Sequence, residues 1–492
     1  MSVSPGIDRT TLRTTVAVLV GGIAVILDST IVSVALHQLA QDLDVGVSTI
    51  QWVSTAYLLA LGVVMPTVGW LQSRLGAKRL WLAALTVFLL GSVLCSFAWN
   101  ADSLIAFRVV QGVGGGAMLP LMTTIVMQAA GGHNLGKLMS VVALPTAIGP
   151  ILGPVIGGLI LGVGDWRWLF WVNVPLCVAG ILLAWRLIPA DEPGRRVRLD
   201  IVGLLLLSPA LVGLLFGLSN VAREGGFGHP DVLLPLVGGA LLLTAFVLWA
   251  LRRGGEALVD LAVLRSRPTW SATALLFLTG ASLYGAMLLL PLYWQQVRGT
   301  DALGAGLLLI PQGVGSLVSR VVAARLLDKV SPRTVAVAGF ALVGVATVPF
   351  ALAGADTPIW LLLAALLVRG LGMGMVVIPL MAVAFVGLER PEVPHASILT
   401  RIAQQVGGSV GVALLAVILA TAATSKGSIT SAFDIAFWCA TGFTALAVLL
   451  AFALPSRVGL DASAGGGTPA TGAPPGPAAD ATEVGKRASI AS

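Results

Sequence analysis

Read for hydrophobic periodicity, the chain is a succession of apolar runs too long for buried soluble helices, separated by short polar punctuation. A bilayer span needs about 20 apolar residues, and runs of that kind fall at approximately 14–36, 49–72, 79–98, 102–126, 137–161, 168–189, 200–219, 231–251, 270–294, 304–327, 334–353, 358–382, 399–421 and 433–454. The pattern therefore predicts an all-α membrane protein with fourteen spans and both termini on one side. Residues 1–13 precede the first run, which is too long for a signal-peptide core and is expected to stay in the membrane. The stretch from about 456 to 492 is Gly/Pro/Ala-rich, as in TPATGAPPGPAAD, and cannot build a core.

Composition agrees. Of 492 residues 57% are hydrophobic and 10% charged, a balance that excludes a soluble fold. The net charge of +7 would suggest nucleic acid in a soluble chain, but here the basic residues cluster in short loops and read as topology signals. With the amino terminus placed in the cytoplasm, loops on the other side hold only Arg167, Arg223, Arg298 and Lys426, while RLGAKR, GRRVRLD, LRRGGE, LRSRP and LLDKVSPR all fall inside. The expected location is the cell membrane, multi-pass, with both termini cytoplasmic. Cys95, Cys177 and Cys439 lie in apolar runs and imply neither disulfide nor metal site.

A weak internal repeat divides the chain. GWLQSRLGAKRL after the second run is echoed by ARLLDKVSPRTV after the tenth, and RVVQGVGGGAMLP in the fourth by RGLGMGMVVIP in the twelfth. Two similar halves suggest a pseudo-symmetric transporter with its site near the midplane. The runs 200–219 and 231–251 match neither copy and read as an inserted pair. The expected organisation is a six-helix bundle over 14–189, a linker with two inserted helices over 190–255, a second six-helix bundle over 256–455, and a disordered cytoplasmic tail over 456–492.

One residue asks for an explanation before any other. Asp28 interrupts TTVAVLVGGIAVILDSTIVSVAL, where a carboxylate at mid-bilayer costs roughly 2.5–3.5 kcal/mol on insertion scales. Arg108 lies at similar depth in the fourth run, within a few Å by helical rise, so the two can pair. Neither should face lipid. Asp28 is then a proton or cationic-substrate site, or half of a static structural ion pair with Arg108. In the second half Arg320 and Arg369 lie within runs, with no acid at similar depth.

Gly149, Gly153 and Gly157 recur at i, i+4 and i+8, with Gly158 beside them and Pro150 and Pro154 one residue along from the first two. The stripe admits close approach of another helix, and the prolines bend the chain, as a packing seam or as a hinge. Gln51, Trp52, Tyr57, Gln111, Tyr284, Tyr293, Gln295, Gln404 and Gln405 offer an aromatic and amide lining for amphipathic ligands, though each could equally anchor an interface or a helix contact. Gly69, Arg74, Gly76, Lys78, Asp328 and Arg333 mark the two cytoplasmic loop copies, where Arg74 and Lys78 serve topology in any case. GVGGGA lies in an apolar run and lacks the Lys-Ser/Thr of a phosphate loop, so neither an enzyme nor an ATP-driven pump is indicated.

These motifs, in order and over roughly residues 14 to 455, resemble the fourteen-helix drug:proton antiporter branch of the major facilitator superfamily. LDSTIVSVAL is similar to its first-helix motif, LPTAIGPILGPVIGG to its fifth-helix antiporter motif, and DWRWLFWVNVP to a signature of the branch. The resemblance implies the major facilitator fold, two pseudo-symmetric bundles plus two inserted helices, and proton-coupled efflux of amphipathic drugs or antibiotics. It implies no cofactor, the proton motive force supplying the energy. The first-helix acid and fourth-helix arginine would carry coupling. Expected partners are an amphipathic small molecule, protons and the lipid bilayer; no nucleic acid is expected, and the resemblance leaves a periplasmic adaptor open. The family usually has an acid where this chain has Ser73, so its loop latch would be lopsided, with Asp328 in the second copy. Export of a lipid or native metabolite by the same machinery, and more distantly a membrane sensor or scaffold, are the alternative readings.

Overall fold

The computed structural model describes residues 8–456 other than position 51, most of 131–163, 191–197, 225, 301, 327–329, 355, 390 and 427. Among the described residues it is helical throughout and contains no strand. In a bilayer every backbone polar group must be satisfied within the chain, and helices do so segment by segment. The principal helices are α1 (Arg9–Asp42), α2 (Trp52–Val64), α3 (Val68–Leu75), α4 (Ala77–Ser96), α5 (Ala101–Ala130), α6 (Asn173–Leu187), α7 (Ile201–Glu224), α8 (Pro230–Arg253), α9 (Arg267–Gln296), α10 (Ile310–Leu326), α11 (Pro332–Ala351), α12 (Ile359–Ala384), α13 (Val393–Lys426) and α14 (Ile429–Ala451).

Twelve helical segments among the described residues are long and apolar enough to cross a membrane, with α2 and α3 forming one of them. Of the two other runs, 137–161 lies largely outside the described residues, and 304–327 is split between a short helix, Ala302–Leu308, and the 17-residue α10. Helix ends also depart from the hydropathy pattern. The first helix continues six residues past 36 because Leu39 and Ala40 are buried in the core, and α13 begins at Val393, six residues before the apolar run at 399. Between α2 and α3 a 3₁₀ turn over Met65–Thr67 contains Pro66, which has no amide hydrogen for a regular helical bond. Gly76 breaks the chain between α3 and α4 with φ at +87°, a conformation costly for any residue with a Cβ.

Among the described helices, one group packs through α1 with α5 and α6 and through α5 with α2 and α4, and a second through α9 with α13 and α12 with α10 and α11. Without a hydrophobic force between helices in lipid, backbone proximity decides such pairs. Between α9 and α13 it is reciprocal: a Cβ on Gly280 would strike the backbone of Gln404, and one on Gly407 or Gly411 the backbone of Phe277 or Ala281. The helices α7 and α8 pack on each other, and α7 lies across the junction of α2 and α13. Ser208 Oγ donates to Val63 O at 2.9 Å, Trp52 stacks on Phe216, and Val221 packs near Ala413. Asp200 fastens the start of this pair, accepting from Gly203 N, Trp249 Nε1 and Leu258 N, each at 3.0 Å.

The two groups of helices meet on the side that holds both ends of the described chain, here the terminal side. One apolar cluster there unites Val68, Leu121 and Ile125 with Leu380, Val393 and Ile398; on the far side the cores are separate, around Ile31, Leu104 and Phe170 in one group and Leu289, Phe350 and Phe437 in the other. One face of α5 records the divergence. Ala106, Val110 and Val113 are exposed, whereas Ala117, Pro120 and Thr124, further along the same face, are buried, with Ser397 Oγ of α13 donating to Pro120 O at 2.9 Å. The groups are thus sealed on the terminal side and splayed on the other.

Gly407→Leu should lower the thermal midpoint of the detergent-solubilised protein by several degrees, an overpacking cost of about 1–3 kcal/mol. Gly442→Leu, at a position with open space around it, should leave the midpoint unchanged in the same melting assay.

Candidate functional site

The buried acid of α1 lies at the convergence of α1, α2, α5 and α6. Asp28 is 0% exposed and Arg108 is 1% exposed. Arg108 Nη1 donates to Asp28 Oδ2 at 2.6 Å, while Gln111 Nε2 and Asn173 Nδ2 each donate to Asp28 Oδ1 at 2.9 Å. Arg108 Nη1 also donates to Gln111 Oε1 at 2.7 Å and Nε to Val53 O at 3.1 Å; its guanidinium lies 3.9 Å from the centre of the Tyr57 ring. Asn173 is held in turn by Ser92, whose hydroxyl accepts from Asn173 Nδ2 at 3.1 Å and donates to Phe170 O at 2.9 Å.

Local sequence explains the placement. Arg108 and Gln111 are one turn apart on α5, so they reach the same point. The glycines that follow let neighbouring helices close around them: a Cβ on Gly112 would lie 2.7 Å from Tyr57 O, and one on Gly116 2.7 Å from Leu61 O. Asn173 begins α6, with Pro175 in the first turn where its missing amide hydrogen costs nothing. The electrostatics are those of a desolvated pair whose penalty is met by short charge-assisted bonds, neutral amide donors and the face of an aromatic ring. Three N–H donors converge on one carboxylate, so the arrangement accommodates the charged acid. A proton on Asp28 would replace an acceptor with a donor and leave Arg108 without a counter-charge.

The other sequence candidates scatter. Gln111 and Tyr57, read as cavity lining, are buried components of the charged site. Tyr293 is 0% exposed, its ring edge-on to Phe350, Phe433, Phe437 and Trp294, so it belongs to an aromatic core and lines no cavity. Trp52 is stacked on α7, and Gln295 is exposed at the far-side end of α9. Tyr284 is 36% exposed with its ring against Gly408, Gln404 is nearly buried and Gln405 half-buried. Gly149, Gly153 and Gly157 face Ile26, Thr30 and Ile31 of α1, so this stripe abuts the helix that carries Asp28, and Thr30 Oγ1 donates to Gly149 O at 3.2 Å. In the loop copies, Gly69 meets Pro394, His395 and Ile398 of α13; Arg74 lies over Trp70; Lys78 Nζ donates to Ile188 O at 2.7 Å; and Arg333 Nε donates to Leu454 O at 2.7 Å. Ser73 Oγ turns back onto Trp70 O at 2.8 Å. Gln51, Pro150, Pro154, Gly158, Asp328 and the 457–492 tail lie outside the described residues.

Two functional candidates were not singled out from sequence. Asn173 was legible in DWRWLFWVNVP as an amide in an apolar run. Ser92 was not, since serines in membrane helices commonly bond their own backbone. The symmetry-related arginine of the second half contrasts with the first: Arg369 is 2% exposed and, among the described residues, donates to neutral acceptors, Gln312 Oε1 at 3.0 Å, Ser282 O at 3.2 Å and Thr347 Oγ1 at 3.3 Å.

Removing one partner of the buried pair should be costly and removing both less so. Asp28→Asn is expected to destabilise by about 3–5 kcal/mol, and Arg108→Gln added to it should restore part of that loss. A double-mutant cycle of thermal unfolding in detergent measures the coupling.

Comparison with known proteins gives the wider setting. Residues 18–412 match the family described as Major Facilitator Superfamily. The chain is 36% identical over 415 residues to a multidrug resistance protein B homolog of Mycobacterium tuberculosis, covering 84% of this chain and 77% of the relative. It is 33% identical over 409 residues to the puromycin resistance protein of Streptomyces alboniger, covering 81% and 80% respectively. Its fold is similar to that of the proton:xylose symporter XylE, with a TM-score of 0.61 at 16% identity, covering 92% of this chain and 98% of that one.

Proposed function

Because the chain belongs to the major facilitator superfamily, a family of transporters and not of enzymes, we propose that it exports amphipathic drugs or antibiotics in exchange for protons, with Asp28 as the proton site and Arg108 as its counter-ion. The observation that carries the reading is the sealed contact of those two side chains on α1 and α5, within one of two groups of helices that meet on one side and part on the other. The names of the relatives, multidrug and puromycin resistance proteins, support drugs as the cargo.

Sidedness follows from charge. Lys78, Arg79, Arg252, Arg253, Arg265 and Arg267 crowd the terminal side, and the positive-inside rule assigns that side to the cytoplasm. The gap between the two groups then opens outward, the state in which cargo leaves and a proton enters. A proton arriving at Asp28 neutralises the carboxylate, and Arg108 is left as a buried cation with only Gln111, Val53 O and the Tyr57 ring. That imbalance favours rearrangement of α1 against α5 and α6. The glycine seam at 149, 153 and 157 would let α1 move along its neighbour, and the contact of Gly69 with α13 would open as the cytoplasmic gate, flanked by Arg74, Gly76, Lys78 and Arg333. Loss of the proton to the cytoplasm restores the charged pair. Proton and cargo thus occupy the transporter alternately.

The test is efflux from proteoliposomes preloaded with a panel of anionic, neutral and cationic fluorescent amphipaths. Asp28→Asn should lose at least tenfold of the efflux driven by a pH gradient while still exchanging cargo across the membrane at equilibrium. Undiminished gradient-driven efflux would remove Asp28 from the mechanism.

A further inference from the structure

The face of α13 that seals the terminal side continues into the gap between the two groups. Pro394 and Ile398 lie on the face that meets Gly69 of α3. Arg401 and Gln405 follow at seven and eleven residues from Pro394, a spacing that keeps them on that same face. Ile398 is 0% exposed, whereas Arg401 and Gln405 are half-buried. Eight residues into the helix, Arg401 is about 12 Å from its terminal-side end. It therefore sits just past the seal, on the floor of the gap.

Its guanidinium is under-used. Among the described residues its one hydrogen-bond partner is Gln404 Oε1, at 3.0 Å, and no carboxylate pairs with it. Glu392, at the terminal-side end of the same helix, is bonded through Oε2 to Glu389 N at 2.8 Å. Asp434, within α14, lies near the far-side end of that helix. In the other group Asp28 is already neutralised by Arg108, and Arg369 adds a second cation among neutral acceptors. The gap is accordingly positive at its floor, between an apolar wall at Val110 and Val113 and the half-exposed ring of Tyr284.

We propose that the preferred cargo is an amphipathic anion, whose acidic group docks on Arg401 with Gln405 beside it while its apolar body rests against the α5 wall. This inference rests on the export reading and names the substrate class for it. A cation at that point would meet uncompensated positive charge in a low-dielectric cleft, where such fields are strongest. An anion also leaves the cell down an inside-negative membrane potential. Potential and a single titrating carboxylate can then drive export together.

The test uses two probes that share one aromatic body, 1-anilinonaphthalene-8-sulfonate and its uncharged parent N-phenyl-1-naphthylamine, preloaded into proteoliposomes containing the full chain under a pH gradient. The wild type should export both, and Arg401→Gln should lower the sulfonate-to-amine export ratio at least tenfold. Arg401→Lys keeps the charge but loses the two-pronged contact; it should raise the KM for the sulfonate several-fold and leave that for the amine unchanged, which keeps the test decisive if the glutamine variant fails to insert. An unchanged ratio in Arg401→Gln, equal losses for both probes, or a wild type that exports the amine and ignores the sulfonate overturns the proposal alone. Export of neither probe overturns the export reading with it.

Discussion

A carboxylate and a guanidinium cannot both be kept out of water unless each is supplied with partners, and the first half of this protein is arranged around that requirement. Asp28, Arg108, Gln111, Asn173 and Ser92 come from four helices, and Val53 and Tyr57 of α2 complete the enclosure. The glycines of α5 are part of the same solution. Gly112, Gly114 and Gly116 bring the backbones of α2 and α4 within reach, so the polar atoms meet at hydrogen-bonding distance with little space left between them. A buried ion pair contributes little net stability compared with an apolar core of the same volume.

The second half repeats the geometry without the acid. Arg369 stands where the repeat puts the counterpart of Arg108, yet its acceptors are a carboxamide, a hydroxyl and a backbone carbonyl. Pseudo-symmetry of backbone thus coexists with asymmetry of charge. One half holds an ion pair of no net charge, and the other a buried arginine among neutral acceptors.

Among the described residues, α7 and α8 take no part in the charged site. Their contribution is positional, since α7 touches α2 through Ser208 and Phe216 and touches α13 through the cluster around Val221 and Ala413. Asp200 locks the base of the pair to the linker that leads into the second half. Any rocking of one bundle on the other must carry this pair or slide past it.

Hydropathy alone determined that the chain is helical and membrane-embedded, because backbone groups in hydrocarbon leave few alternatives and apolar length sets the spans. The rarity of charge inside those runs likewise singled out Asp28 and Arg108, since each needs a reason to be there. Helix ends were less legible: α1 and α13 extend past their apolar runs, the first because its end packs in the core, and the second shift puts Arg401 eight residues into its helix where the apolar run alone puts it two residues in. Which of the aromatic and amide candidates face open space was decided only by packing. Tyr293 and Tyr57 look alike along the chain, but one is enclosed by phenylalanines and the other lies beneath a guanidinium. A side chain's neighbours come from other helices, and sequence spacing within one helix fixes direction without saying what stands opposite.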